Sequence, residues 1–157
     1  MVNSITWGVE FWGPELVKTW GAILDKNKRA IKAYGFNEIP EALTVFPCAV
    51  SFLSESADID YSEGGLNLVL WKGKTEFHIT NDVKKNVLND VYPYIRKIIE
   101  AAARSLTLNG KVDSFLLKQS PTITPAVLTW GDEIDRYGLV VPWEIRENVT
   151  GKLSVGA

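Results

Sequence analysis

The chain has little of the side-chain chemistry that most catalytic sites draw on. Its 157 residues include one histidine (His78), one cysteine (Cys48) and one methionine. Zinc sites, Cys–His pairs and Ser-His-Asp triads all use His or Cys, and most need several. A lone cysteine closes no internal disulfide, which fits a reducing compartment. Charge of one sign is also missing. The 17 basic and 19 acidic residues give a net charge of −2, whereas a dedicated nucleic-acid binder shows a basic excess or stripe. No apolar run approaches the roughly 18 residues of a membrane span, and the N-terminus Met1–Phe11 lacks the basic-then-apolar order of a signal peptide.

What is present is apolar and aromatic. Hydrophobic residues make up 46% of the chain and there are six tryptophans. This is one globular domain, long enough to bury a core. Large aromatic area builds cores and protein interfaces. The inventory predicts a protein that packs and binds, with no catalytic residue, metal or cofactor.

The pattern along the chain predicts an α+β domain over 14–150, with a segment of uncertain structure at 1–12 and a flexible tail at 151–157. Ile5, Trp7, Val9 and Phe11 alternate like a strand, but Gly8 and Trp12 break the period. After Gly13-Pro14, Leu16, Trp20, Ile23, Asn27, Ile31 and Tyr34 fall at helical steps, predicting a helix over 14–34 that Gly35 ends. Cys48–Leu53 reads as a buried strand and Ser54–Gly65 as a polar loop. Leu66, Leu68 and Leu70 alternate as a second strand, antiparallel to the first. Thr75, Phe77 and Ile79 alternate one step out of phase, and Gly73 is expected to supply a bulge or turn.

Asn81 or Asp82 is a good N-cap for the longest helix, whose apolar face runs from Val83 to Leu106 with a kink or restart at Pro93. Asn109-Gly110 marks a turn. Strands are expected at Val112–Lys118, at the edge over Ala126–Trp130, and at Tyr137–Glu147, where Pro142 should force an edge or a bulge. The result is an antiparallel (mixed) sheet of four to five strands with two main helices on one face.

Candidate chemistry is sparse. His78 falls between inward-facing Phe77 and Ile79, on the outward phase, with no acid or nucleophile that the sequence places beside it. Cys48 follows Pro47 in an apolar strand and reads as a small buried hydrophobe. Asp58 and Asp60 form a D-x-D, and Asp132, Glu133 and Asp135 cluster further on, but neither segment completes a calcium-loop pattern. Gly64-Gly65 precedes a strand, so it offers phosphate no helix N-terminus. Trp71-Lys72-Gly73-Lys74 combines an aromatic with two cations, too little for nucleic acid. Trp20 and Trp143 lie on inward phases and belong to the core. Trp7, Trp12, Trp71 and Trp130 are the candidates for interfaces, along with Asp58, Asp60, Lys72, Lys74 and Asp132.

A series of segments carries a resemblance. Pro40-Glu-Ala-Leu and Phe46-Pro-Cys-Ala-Val lead into the first strand. Tyr61-Ser-Glu-Gly-Gly opens a strand that finishes Val69-Leu-Trp-Lys-Gly. Tyr94-Ile-Arg-Lys-Ile-Ile lies on the helix and Leu108-Asn-Gly-Lys-Val-Asp begins the next strand. Leu128-Thr-Trp-Gly and Tyr137-Gly-Leu-Val-Val-Pro-Trp close the domain. From about Pro40 to Val149 this succession resembles the tail-terminator (tail-completion) proteins of long-tailed bacteriophages, of the lambda U-protein type. Other small neck and minor tail proteins share the architecture, and the N-terminal tryptophans are a departure from it.

The resemblance implies a virion structural protein, assembled in the host cytoplasm and located in the tail or neck. Such proteins form a hexameric ring on the last ring of tail tube, stop its growth and present the surface that joins the head connector. The implied partners are other copies of the chain, the tail-tube protein and the head-completion or connector protein, with no membrane. DNA passes through the lumen without specific binding, which suits a chain with no basic patch. Segments 54–65 and 118–137 would meet neighbouring rings. Two other readings compete. One is a small sheet-based carbohydrate-binding module, with Trp71 and Trp130 as stacking platforms and Asp58 or Asp132 as polar partners. The other is a metal-dependent hydrolase using the acidic segments.

Overall fold

The computed structural model describes residues 5–53, 57–62, 65–80, 87–120, 122–131 and 135–152. Its elements in chain order are α1 (Val9–Gly21), β1 (Lys32–Tyr34), β2 (Cys48–Leu53), β3 (Asp58–Ser62), β4 (Gly65–His78), α2 (Val87–Asp90), α3 (Pro93–Ala103), β5 (Ser114–Leu117), β6 (Thr124–Thr129) and β7 (Asp135–Asn148). The α+β class is as the sequence predicts, with seven strands in one mixed sheet rather than four to five.

Two 14-residue strands, β4 and β7, form the centre of the sheet. They pair antiparallel from Leu68↔Asn148 to His78↔Gly138. Each carries two short strands end to end along its outer side. On β4 these are β3 beside 65–70 and β2 beside 73–78. On β7 they are β6 beside 135–140 and β5 beside 143–146. The short β1 adds to β2 in parallel.

Alternation assigns the faces. Phe77, Leu139, Val141, Trp143 and Ile145 are buried under α1 and α3, in a core shared with Trp12, Leu16, Trp20, Ile98 and Phe115. Its aromatics meet edge to face, with ring centroids 5.2 Å apart for Trp20–Phe77 and 5.8 Å for Trp12–Trp143. A smaller cluster of Leu43, Cys48 and Val50, packed by Phe46, Phe52 and Trp130, lies on the opposite face.

Several expectations are corrected. The helix predicted over 14–34 begins earlier, at Val9, and stops at Gly21. Pro14 therefore sits inside it, on the exposed side, leaving the carbonyl of exposed Glu10 without its helical donor. The second half of the predicted helix folds back instead. The Asp25 carboxylate accepts the backbone N–H groups of Asn27 (2.8 Å) and Arg29 (3.0 Å), and Lys28 takes φ 62°. Such local side-chain bonding competes with helix formation, and Gly21 lowers the cost of stopping.

Segment 54–65, predicted as a loop, contains β3, where Asp58–Ser62 lengthens the sheet. Gly73 makes no bulge. It is an interior residue of β4 whose missing side chain leaves room for the Trp143 ring: a Cβ there would lie 2.3 Å from Trp143 Cη2 and 2.4 Å from the Phe52 carbonyl oxygen. The change of phase has another origin. From Val69 to Phe77 the odd-numbered residues of β4 face the helices, with Leu68 and Leu70 half-buried on the other face, and the register with β3 shifts between Leu68 and Leu66.

Pro142 does not force an edge, since β7 is central. Its carbonyl accepts Lys118 N–H at 2.9 Å. In an extended strand a residue's N and O point to the same side, so the proline nitrogen faces the gap between β5 and β6, where no ladder partner stands. Pro93 restarts the helix as expected. The predicted cap at Asn81 or Asp82 lies outside the described residues. Leu106 leaves the predicted apolar face and is 51% exposed.

Candidate functional site

Of the nine residues singled out as interface candidates, the eight that are described do not form one site. Trp12 is fully buried in the helix-side core, which removes it as an exposed docking residue. Trp7 is half-buried just before α1. Trp71 is half-buried on the helix side, edge to face with Trp12 at 5.9 Å. Trp130 is half-buried on the other face, packed against Phe52 and His78 at 5.8 and 5.5 Å, and its indole N–H donates to the Pro40 carbonyl at 2.9 Å. Trp71 and Trp130 therefore stand on opposite faces of the sheet and share no stacking platform.

Asp58 and Asp60 are exposed on β3. Asp58 pairs with Lys72 at 2.8 Å across the strands, and Lys74 lies 3.5 Å from Glu76 on the same face. Asp132 lies outside the described residues. Asp135 accepts the Thr129 hydroxyl at 2.7 Å. Among the described residues no three His, Cys, Asp or Glu side chains gather as metal ligands, and no helix is long and apolar enough to cross a membrane.

His78 is on the face away from the helices, as its phase predicts, yet it is fully buried rather than exposed. Leu43 and Phe46 pack on that face, Pro40 holds the Trp130 indole, and the Trp130 ring stands edge to face against His78. The His78 ring bonds the Glu76 carboxylate through Nε2 at 3.1 Å. Burial pushes Glu76 up, but the hydrogen bond and charge of His78, with Lys74, bring it to a net position below the usual carboxylate range. Cys48 is fully buried one strand away, paired with His78 in register. Burial raises its thiol to about 12, so it remains protonated and unreactive.

The structure adds two groups of residues that the pattern reading missed. The first is Glu147, a fully buried carboxylate. It receives Gly8 N–H at 3.0 and 3.1 Å on its two oxygens and the Trp71 indole N–H at 3.1 Å. Gly8 is the N-cap residue of α1, so a side chain from the far end of the sequence caps the first helix. A carboxylate there also meets the positive end of the helix dipole. Burial raises its pKa, opposed by the Gly8 and Trp71 donors. The signal was in the sequence: Glu147 continues the inward series Leu139, Val141, Trp143, Ile145.

The second group is a set of exposed apolar residues on both lateral edges. Beside β4, Ile59 and Tyr61 of β3 are 52% and 69% exposed. Beside β7, Leu116 of β5 and Val127 of β6 are 51% and 50% exposed. On the outer flank of α3, Tyr92 and Ile99 are similarly open, next to Pro125 of β6. Leu116 pairs with Glu144 and Val127 with Tyr137, so these two stand on opposite faces of the sheet along one edge. No known family model matches the chain, and no curated protein matches it.

Proposed function

We propose that this chain is a virion structural protein of the tail-terminator type: a ring-forming subunit that caps the tail tube and presents the head-joining surface. The observation that carries the reading is the pair of unlike lateral edges. One edge presents Ile59 and Tyr61 and the other Leu116 and Val127, all at least half exposed. A closed cyclic ring uses a heterologous interface, in which each subunit contributes two different surfaces. The rigid β4–β7 centre holds those edges at a fixed separation, as closure at one ring size requires. The resemblance from Pro40 to Val149 supplies the tail context, with a six-membered ring as the expected closure. A carbohydrate-binding module has less support, because Trp71 and Trp130 do not share a face and Trp130 is engaged by Phe52, His78 and Pro40.

Solution mass by light scattering, with negative-stain imaging, tests the reading in the free protein and on isolated tail tubes. Rings in solution, or caps of this chain at tube ends, are the expected result. A strictly monomeric chain at high concentration that also fails to co-sediment with tubes would overturn it.

A further inference from the structure

Helix α3 is apolar on more than one side. Its core face carries Tyr94, Ile98 and Ala102, all buried in the helix-side core. A second stripe of Tyr92, Ile95, Ile99 and Ala103 recurs at steps of three and four residues along the outer flank. Tyr92 and Ile99 are 43% and 47% exposed, and Ala103 is exposed as well. With Pro125 of β6 this flank forms a shallow apolar trough. Among the described residues its charged lining is one side chain of each sign, Arg96 and Glu100. They lie one helical turn apart and hold each other only loosely, at 3.4 Å. A helix that serves the core alone needs a single apolar stripe, whereas a second one matches the packing surface for another helix.

We infer that two copies pair α3 against α3, antiparallel about a two-fold axis, each helix seated in the trough of the other. The axis crosses α3 near Lys97 and Ile98. Antiparallel overlay about that point brings Ile95 of one copy beside Ile99 of the other, and Arg96 beside Glu100, twice over. The mixed charge of the trough is therefore self-complementary, because each copy offers the sign that the other needs at the same height. That match selects a second copy, rather than an unrelated helix, as the occupant. It has the form of an isologous interface, in which one patch is used on both subunits, with an apolar centre and a charge-complementary rim. The contact closes on itself at each pairing and does not rest on the ring reading.

The test uses the full chain with charge reversals at two open positions, Arg96→Glu and Glu100→Arg, whose side chains are 71% and 47% exposed. Thermal melting checks that each variant folds, and sedimentation over a range of concentrations reads the mass. The wild type is expected to form dimers or a larger even-numbered species. Either reversal alone sets like charges together at both contacts, so it should weaken pairing about tenfold or more and halve the observed mass. Mixed one to one, the two single variants are again opposite in sign and should pair as one copy of each. The double variant should pair with itself. Ile99→Asp removes an apolar contact instead, and mixing it with either charge variant should restore nothing. Three results would overturn the contact: a wild type with no even-numbered species, single reversals that pair like the wild type, or a mixture of reversals that stays unpaired. Caps at tube ends are read separately, so failure here leaves the ring reading standing, and bare tubes leave this contact standing.

Discussion

Replacing Glu147 separates the energetics of its buried carboxylate from those of the donors it satisfies. Glu147→Ala leaves the Gly8 and Trp71 N–H groups, now at 3.0 and 3.1 Å from Oε1, without an acceptor. An unsatisfied buried donor costs about 1–3 kcal/mol, so the two together give about 2–6 kcal/mol, with a further contribution from frayed packing at the start of α1. Glu147→Gln behaves differently. Its Oε1 keeps both donors and only the contact of Gly8 N with the second oxygen is lost, while the charge no longer has to be desolvated. Gln should therefore lie within about 1 kcal/mol of the wild type near neutral pH.

The pH dependence carries a definite sign. Burial raises the folded-state pKa of Glu147 above the unfolded value of about 4.3. Its contribution is fully present below the unfolded pKa and is lost as pH rises through the folded one. Acidification into that window should therefore stabilise the wild type relative to Glu147→Gln, and the difference should shrink again toward neutrality. Urea unfolding followed by tryptophan fluorescence at a series of pH values measures it. Glu147→Ala as stable as the wild type, or a wild-type-minus-Gln difference that grows with rising pH, would contradict this role of the buried carboxylate.

Three further outcomes follow from the core. Gly73→Ala should destabilise by at least the 1–3 kcal/mol typical of overpacking, because the new methyl meets both the Trp143 ring and the Phe52 carbonyl; denaturant midpoints read it. Thr75→Val removes the acceptor of the Trp143 indole N–H (3.0 Å) and the partner of Ser51 (2.8 Å), for an expected loss of about 1–3 kcal/mol, reported by the same unfolding curves. Cys48 should resist an aromatic disulfide reagent at pH 8 in the native protein and react stoichiometrically in denaturant, as its burial and raised thiol pKa require.

Elements set by local patterning were legible in the sequence, while those set by partners distant in the chain were not. The alternation of Leu139, Val141, Trp143 and Ile145 placed four core residues, and the inward phases of Trp20 and Trp143 placed two tryptophans. Pro93 marked its helix restart because the missing donor acts locally. The run from Ile23 to Tyr34 kept a helical period, yet the Asp25 turn and the pairing of β1 with β2 outcompeted it. Pro142 was read as an edge signal because the gap between β5 and β6 that accommodates it is a property of the assembled sheet. His78 was correctly phased and read as a structural or surface histidine, and the choice between the two depended on Trp130, which reaches it from a distant strand end. The exposed surfaces were the least legible: Tyr92 and Ile99 come to stand beside Pro125 only once α3 packs against the sheet.

Under the proposed function, this chain ends a tail tube by forming a ring on it. The direct test is to add the purified chain to tail-tube protein from the same genome as that protein polymerises, and to measure tube lengths and ends by electron microscopy. Tubes that stop growing and carry a ring of this chain at one end are the predicted result. Tubes that continue to grow with bare ends, or a genome without any tail-tube gene, would contradict it.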